Sequence, residues 1–218
     1  MTDALERLRA LDACAVSDAL DTLGLPGATV GLPPLWPVAG VVAGRVRTVR
    51  AGAKQATGPA GHIAASVVDS TVAGDVIVIA NDGRTDVSCW GGILTTAALR
   101  HGVAGVVVDG ACRDIGESAA AGLPVFGRAA VPVSARGRIV QVAAAEPVDI
   151  AGVTVHEGDW VIADANGVVF VPAAHTGAVL DLAERIVARE ARMVAAVQAG
   201  GAVATVMHDD KFPTAVPE

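Results

Sequence analysis

Two apolar runs separated by one helical segment restrict this chain more than any other feature in it. "GDVIVIAND" places a strand over residues 75–80, and "VAGVVVDG" places a second over 104–109. Both are short and rich in Val and Ile, the pattern of strands buried on both faces. Between them "GGILTTAALRHG" has helical spacing, opens near Gly91 and stops at Gly102. Strand, helix, strand in that order makes the two strands parallel, because the crossover returns the chain to its starting edge. The first turn of the helix then meets the C-terminal ends of both strands, the edge where open parallel sheets bind ligands. The first strand is expected to end in a polar turn after residue 80.

The remaining segments fill out an α/β domain. Thr2–Leu11 reads as a short helix, with Leu5, Leu8 and Leu11 on one face. "VSDALDTLG" reads as a helix capped by Ser17 or Asp18 and stopped at Gly24. "LPGATVGLPPLWPVAG" is too rich in Pro and Gly for a helix and is a loop. "GVVAGRVRTVRA" reads as a strand, and residues 61–70 as a helix. After "GESAAAGLPVFGR" the chain is β-rich, and "HEGD" and "DANG" read as turns joining antiparallel strands. "AVLDLAERIVAREARMVAAVQAG" is a long amphipathic helix. The expected organisation is one domain over residues 1–206 and a tail over 207–218.

Composition narrows the class. Hydrophobic residues make up 52% of the 218 residues and charged ones 18%, which excludes disorder. Aromatics are 3% and Tyr is absent, so the core is built from Val, Ala, Ile and Leu. So few charges suggest that other subunits cover part of the surface. The net charge of −7 and the lack of a basic stripe argue against a nucleic-acid partner. Cys14, Cys89 and Cys112 have no metal-type spacing and fit free thiols in a reducing compartment. The N-terminus is charged where a signal peptide is apolar, and no apolar stretch reaches the roughly 18 residues of a membrane helix. A cytoplasmic protein without a membrane partner is expected.

The charges that do occur crowd the end of the second strand. "VVVDGACRDIGE" carries Asp109, Arg113, Asp114 and Glu117. Across the crossover it meets "CWGGIL". Gly91 and Gly92 have no side chain to keep a ligand off the backbone, and the amides that open a helix favour an anion. Arg113 can grip a carboxylate with two parallel hydrogen bonds. Asp114 is a hard oxygen ligand of the kind Mg²⁺ or Mn²⁺ takes. The combination suits a small 2-oxo acid and a divalent metal. Read locally, the same residues also fit a solvated turn, with Asp109 capping the turn at Gly110 and Glu117 a surface or helix-start charge. His62 and His101 read as structural, and His156, His175 and His208 lack metal-like spacing.

"GDVIVI", "WGGILTTAALRHGVAGVVVDGACRD", "GLPVFGR" and "DWVIADANGVVFVP" resemble the RraA-like family, over roughly residues 14–190. That family holds class II 4-hydroxy-4-methyl-2-oxoglutarate/4-carboxy-4-hydroxy-2-oxoadipate aldolases and RraA, a protein regulator of ribonuclease E. The resemblance implies a swivelling β/β/α fold and a homotrimer, or a hexamer of two trimers, with the site at the subunit interface. It implies that the amides of Gly92, Ile93 and Leu94, with Gly91 before them, bind the carboxylate of the 2-oxo acid. Arg113 would contact the carboxylate and ketone oxygens, and Asp114 would hold Mg²⁺ or Mn²⁺.

One position departs from the aldolase pattern. The aldolases carry an acid 21 positions before the motif arginine, where this chain has Gly92. Aldol cleavage needs a base for the 4-hydroxyl proton, whereas oxaloacetate decarboxylation does not, so decarboxylation is the reaction less affected. The expected function is a metal-dependent carbon–carbon lyase that yields pyruvate. The rival is a non-catalytic regulator like RraA, which lacks the full Arg–Asp pair that this chain keeps.

Overall fold

The computed structural model describes residues 2–54 and 61–208. The chain runs through α1 (Thr2–Arg9), α2 (Ala13–Thr22), β1 (Val42–Ala53), α3 (Ala65–Ser70), β2 (Asp75–Trp90), α4 (Gly92–Arg100) and β3 (Gly105–Cys112). It continues through α5 (Ile115–Ala121), β4 (Val125–Ala130), β5 (Ile139–Ala144), β6 (Val148–Ile150), β7 (Val153–Val155), β8 (Trp160–Asp164), β9 (Gly167–Val171), α6 (Thr176–Gln198) and α7 (Val203–Val206).

The crossover unit is built as the sequence requires. Strands β2 and β3 pair in parallel from Val76↔Gly105 onward, with α4 between them in the chain. They sit inside one sheet of order β4–β3–β2–β1–β8–β9. The pairs β1–β2, β2–β3 and β3–β4 are parallel, while β1–β8 and β8–β9 are antiparallel. Strand β5 adds antiparallel to the second half of β1. The result is a single mixed α/β domain with a long C-terminal helix.

Three apolar clusters explain why the strands read as continuous runs. On one face of the sheet, Val46, Val78, Val107, Phe126, Val161 and Phe170 pack with Leu32 and with the β6–β7 hairpin. The opposite face is covered in two parts. Helices α3, α4 and α5 lie over Val49, Ile77, Ile79, Val106 and Val108, and α1, α2 and α6 lie over Ala43, Ile162, Val169 and Val171. A strand covered on both faces cannot alternate apolar and polar residues. Ile79 is fully buried, and truncating such a residue to Ala costs about 2–5 kcal/mol.

The Pro- and Gly-rich loop ties the two outer strands together. Thr29 N and Phe170 N bond to Val168 O and Gly27 O at β9, at 3.1 and 2.8 Å. Leu35 N and Gly127 N bond to Val125 O and Pro33 O at β4, at 2.9 and 3.1 Å. One short segment therefore pairs with both ends of the strand order, so the sheet is curled until β4 and β9 approach each other.

Several expectations need correction. Strand β2 does not end at residue 80. It continues to Trp90 with register breaks after Ala80, Arg84 and Ser88, and Asp82 and Gly83 adopt left-handed conformations without turning the strand back. Helix α2 is capped by Asp12, whose side chain accepts from Ala15 N, and not by Ser17 or Asp18. Helix α3 starts at Ala65 rather than 61, after a left-handed Ala64. "DANG" does join antiparallel neighbours, but "HEGD" links β7 to β8, which lie in different sheets. Of the expected tail, Met207 and His208 follow α7, and residues 209–218 lie outside the described residues.

Candidate functional site

The end of β3 and the start of α4 meet as the crossover demands. Arg113 N donates to Trp90 O at 2.9 Å, fastening the turn after β3 to the last residue of β2. Asp114 follows in a left-handed conformation (φ 54°), which swings its side chain back over the glycines. Its Oδ2 accepts from Gly92 N at 3.0 Å, and its Oδ1 accepts from Arg113 Nε at 3.1 Å. The Gly92 bond is the main reason that the Asp114 carboxyl lies below the usual carboxylate range. Partial burial opposes this shift, and the Arg113 bond adds to it.

Both glycines lie against the acids of the next turn. A methyl group on Gly91 would lie 2.7 Å from Asp114 Oδ2, and one on Gly92 would lie 2.1 Å from Glu117 Oε2. The second contact shows a site residue that the sequence reading set aside. Glu117 was expected to be an ordinary surface or helix-start charge. Instead, α5 brings its carboxylate to the point where a side chain at position 92 would begin. The missing acid of "CWGGIL" and the acid four residues after Arg113 thus share one place. The signal was available in the spacing, since one helical turn after Asp114 returns to the same side.

The amides divide their roles differently from the expectation. Gly92 N is engaged by Asp114, so it is not an open donor for a ligand's carboxylate. The next two amides, of Ile93 and Leu94, have no acceptor four residues back within α4 and face the helix entrance. Ile93 is 90% exposed. Behind them a buried network fixes both helices: Trp90 Nε1 donates to Thr95 Oγ1 at 2.9 Å, and Thr95 Oγ1 lies 2.8 Å from Ser118 Oγ. Neither hydroxyl was singled out from the sequence.

An open cleft of about 330 Å³ adjoins the pair and is lined by Arg113, Asp114, Ile115, Ala130, Val131 and Pro132. Val131 N donates to Cys112 O at 2.9 Å, so the cleft wall is held to β3. Thiol chemistry is not offered here. Cys112 precedes Arg113 but is fully buried, and burial pushes the Cys89 thiol up to about 12.

Other candidates lie elsewhere. Asp109 does not cap the Gly110 turn. It is buried, pairs with Arg128, and accepts from Ala151 N at 3.0 Å. His62 lines a separate cleft of about 360 Å³ with Ser66 and Gln141. His101 is the C-cap of α4.

Among the described residues no three His, Cys, Asp or Glu side chains form a metal cage. Two converging carboxylates beside an open cleft fit a hard cation such as Mg²⁺, which keeps waters and takes one or two protein carboxylates plus substrate oxygens. They do not fit a structural zinc site.

The RraA-like family (Aldolase/RraA) matches residues 13–170. The chain belongs to the RraA-like family. It is 32% identical over 209 residues to the protein DlpA of Legionella pneumophila, covering 96% of this chain but only 34% of DlpA. The chain thus spans about a third of that relative's length. It is 33% identical over 184 residues to a Halalkalibacterium halodurans protein provisionally named a 4-hydroxy-4-methyl-2-oxoglutarate aldolase, covering 84% of this chain and 83% of that one. Among solved structures it resembles Streptomyces coelicolor RraAS2, described as an unusual member of the RNase ES inhibitor RraA protein family. The TM-score is 0.79 at 25% identity, over 88% of this chain and 97% of that one. RraA-like proteins thus include names of both enzymes and regulators, and the site has to distinguish them.

Proposed function

We propose that this RraA-like protein is a divalent-metal-dependent lyase that releases pyruvate from small 2-oxo acids. The reactions are retro-aldol cleavage of a 4-hydroxy-2-oxo acid, of the 4-hydroxy-4-methyl-2-oxoglutarate type, and decarboxylation of oxaloacetate. The observation that carries the reading is the meeting of Arg113, Asp114 and Glu117 at Gly91–Gly92.

Asp114 would hold Mg²⁺ or Mn²⁺, which takes one protein carboxylate plus waters and substrate oxygens. When bound, the cation supplies Lewis acidity at the ketone. The amides of Ile93 and Leu94 orient the substrate carboxylate, and Arg113 grips the carboxylate and ketone oxygens. As the C3–C4 bond breaks, its electron pair passes to the pyruvate enolate, whose charge Arg113 faces. In aldol cleavage Glu117 takes the 4-hydroxyl proton, the role left open by Gly92, and the carbonyl product departs. In decarboxylation CO₂ departs and no base is needed. The enolate then accepts a proton at C3. A second copy of the chain, in a trimer or hexamer, would cover the exposed helix entrance at Ile93.

The test is a coupled pyruvate assay on oxaloacetate and 4-hydroxy-4-methyl-2-oxoglutarate. Turnover with Mg²⁺ or Mn²⁺ that stops with EDTA supports the reading. Turnover that survives unchanged in both Arg113→Ala and Asp114→Ala would falsify this site. The rival reading, suggested by the likeness to RraAS2, is a regulator that binds a ribonuclease; it predicts no pyruvate from either substrate.

A further inference from the structure

Helix α4 opens without a cap of its own. Its N-cap residue, Gly91, has no side chain to offer the first amides. Asp114 is the N-cap residue of α5, and an aspartate in that place ordinarily accepts from the first turn of its own helix. This one makes no such bond to α5. Its left-handed backbone turns the carboxylate to the neighbouring helix, where Oδ2 accepts from Gly92 N at 3.0 Å and Oδ1 from Arg113 Nε at 3.1 Å. Arg113 and the amides that open α4 are the donors assigned above to the carboxylate of a 2-oxo acid. The chain thus holds one of its own carboxylates at the place where a ligand's belongs.

We infer that the entrance of α4 holds one carboxylate at a time: that of Asp114 while no cation is bound, and that of the 2-oxo acid once a divalent cation has drawn Asp114 away. The inference rests on the lyase reading for the ligand and for the role of Asp114. Because Asp114 is tethered beside Gly92, it competes at a high effective concentration, and a free carboxylate does not displace it. A cation that takes Asp114 as a ligand orients the carboxylate by its own coordination demands. Gly92 N then joins the amides of Ile93 and Leu94 as an open donor, and the Nε edge of Arg113 is freed with it. Cation and 2-oxo acid therefore favour each other's binding through the helix entrance, and by linkage the effect is mutual.

The test needs no turnover. Pyruvate is titrated calorimetrically into the whole protein in EDTA, with Asp114→Ala and Asp114→Asn beside the parent. Asparagine loses the charge but keeps an oxygen for Gly92 N, whereas alanine keeps neither. Asp114→Ala should bind pyruvate about 10-fold more tightly than Asp114→Asn, the scale of one hydrogen bond to a charged group. Equal affinity in the two variants assigns the effect to charge alone and overturns the inference, and so does binding by Asp114→Ala no tighter than by the parent. In the parent, Mg²⁺ added without pyruvate should shift the NMR signal of the Gly92 N–H, and a signal that stays in place also overturns the inference. The expected pattern in a protein that releases no pyruvate from either substrate upholds the inference and overturns the lyase reading alone. Turnover of those substrates by a parent whose two variants bind pyruvate equally does the opposite.

Discussion

Two acids within five residues of each other at the end of β3, Asp109 and Asp114, each pair with an arginine, and the two pairs do opposite things. Asp109 and Arg128 form an internal pair, with the Asp109 side chain 5% exposed and a backbone N–H on its second oxygen. Arg113 and Asp114 form an open pair, 40% and 29% exposed, aimed at a glycine pair and a cleft. In the first, both oxygens of the buried carboxylate are engaged within the chain, and the pair belongs to the packing of the β6–β7 hairpin. The second keeps bonding capacity in reserve beside bare backbone. Charge density along the sequence does not distinguish them. What distinguishes them is whether a partner from a distant strand has arrived.

Breaking each pair should therefore give opposite phenotypes. The largest effect is expected from Arg113→Ala and Asp114→Ala, each lowering pyruvate release by about 100-fold or more with a melting temperature close to that of the parent protein. Asp109→Ala should do the reverse. It strands Arg128 and an N–H, costing roughly 2–3 kcal/mol given the partial exposure of the arginine. Chemical denaturation should show that loss while the catalytic constants of the remaining folded protein stay near normal. A stable Asp109→Ala protein with no turnover would place the internal pair in the chemistry and erase the contrast.

The contrast was only half legible in the sequence. The strand–helix–strand unit, the Gly91–Gly92 entrance and the Arg113–Asp114 pair all follow from local pattern plus the rule for parallel crossovers. Asp109 was misread because its partner lies 19 residues away on another strand, and nothing local announces such a contact. Glu117 was misread for another reason: it was weighed as a lone charge, without asking what a bare Gly92 leaves room for. The polar stretch "NDGRTD" looked like a turn and proved to be irregular strand, because tertiary pairing with β3 outweighs the local turn preference of Asp-Gly.

Next in size is the role of Glu117. Glu117→Ala should lower cleavage of 4-hydroxy-2-oxo acids by about 10- to 100-fold and affect oxaloacetate decarboxylation less. Gly92→Asp combined with Glu117→Ala should recover part of the loss, since it moves the carboxylate across the same gap. No difference between the two substrates in Glu117→Ala would remove the glutamate from proton transfer. Smaller still, Thr95→Val should cost about 1–2 kcal/mol by leaving Trp90 Nε1 without its acceptor, visible as a lowered denaturation midpoint.

The smallest effect concerns acid. Because the Asp114 carboxyl lies below its ordinary range in the folded chain, its contribution to stability is complete above the unfolded aspartate value of about 3.9. It is lost as pH falls through the lower folded value. Asp114→Asn should therefore show a slightly shallower loss of stability on acidification below about pH 4 than the parent. An identical acid profile for the two proteins would mean that the Gly92 bond does not hold in solution.

The segment from Gly27 to Leu35 has a consequence beyond its place in the fold. Unpaired strand borders recruit foreign strands and seed aggregates, and here a single stretch of chain covers β4 and β9 together. Val30, 84% exposed, stands at the middle of that stretch. A proteolytic nick there would uncouple the guards of the two borders, leaving each held only by its own pair of hydrogen bonds.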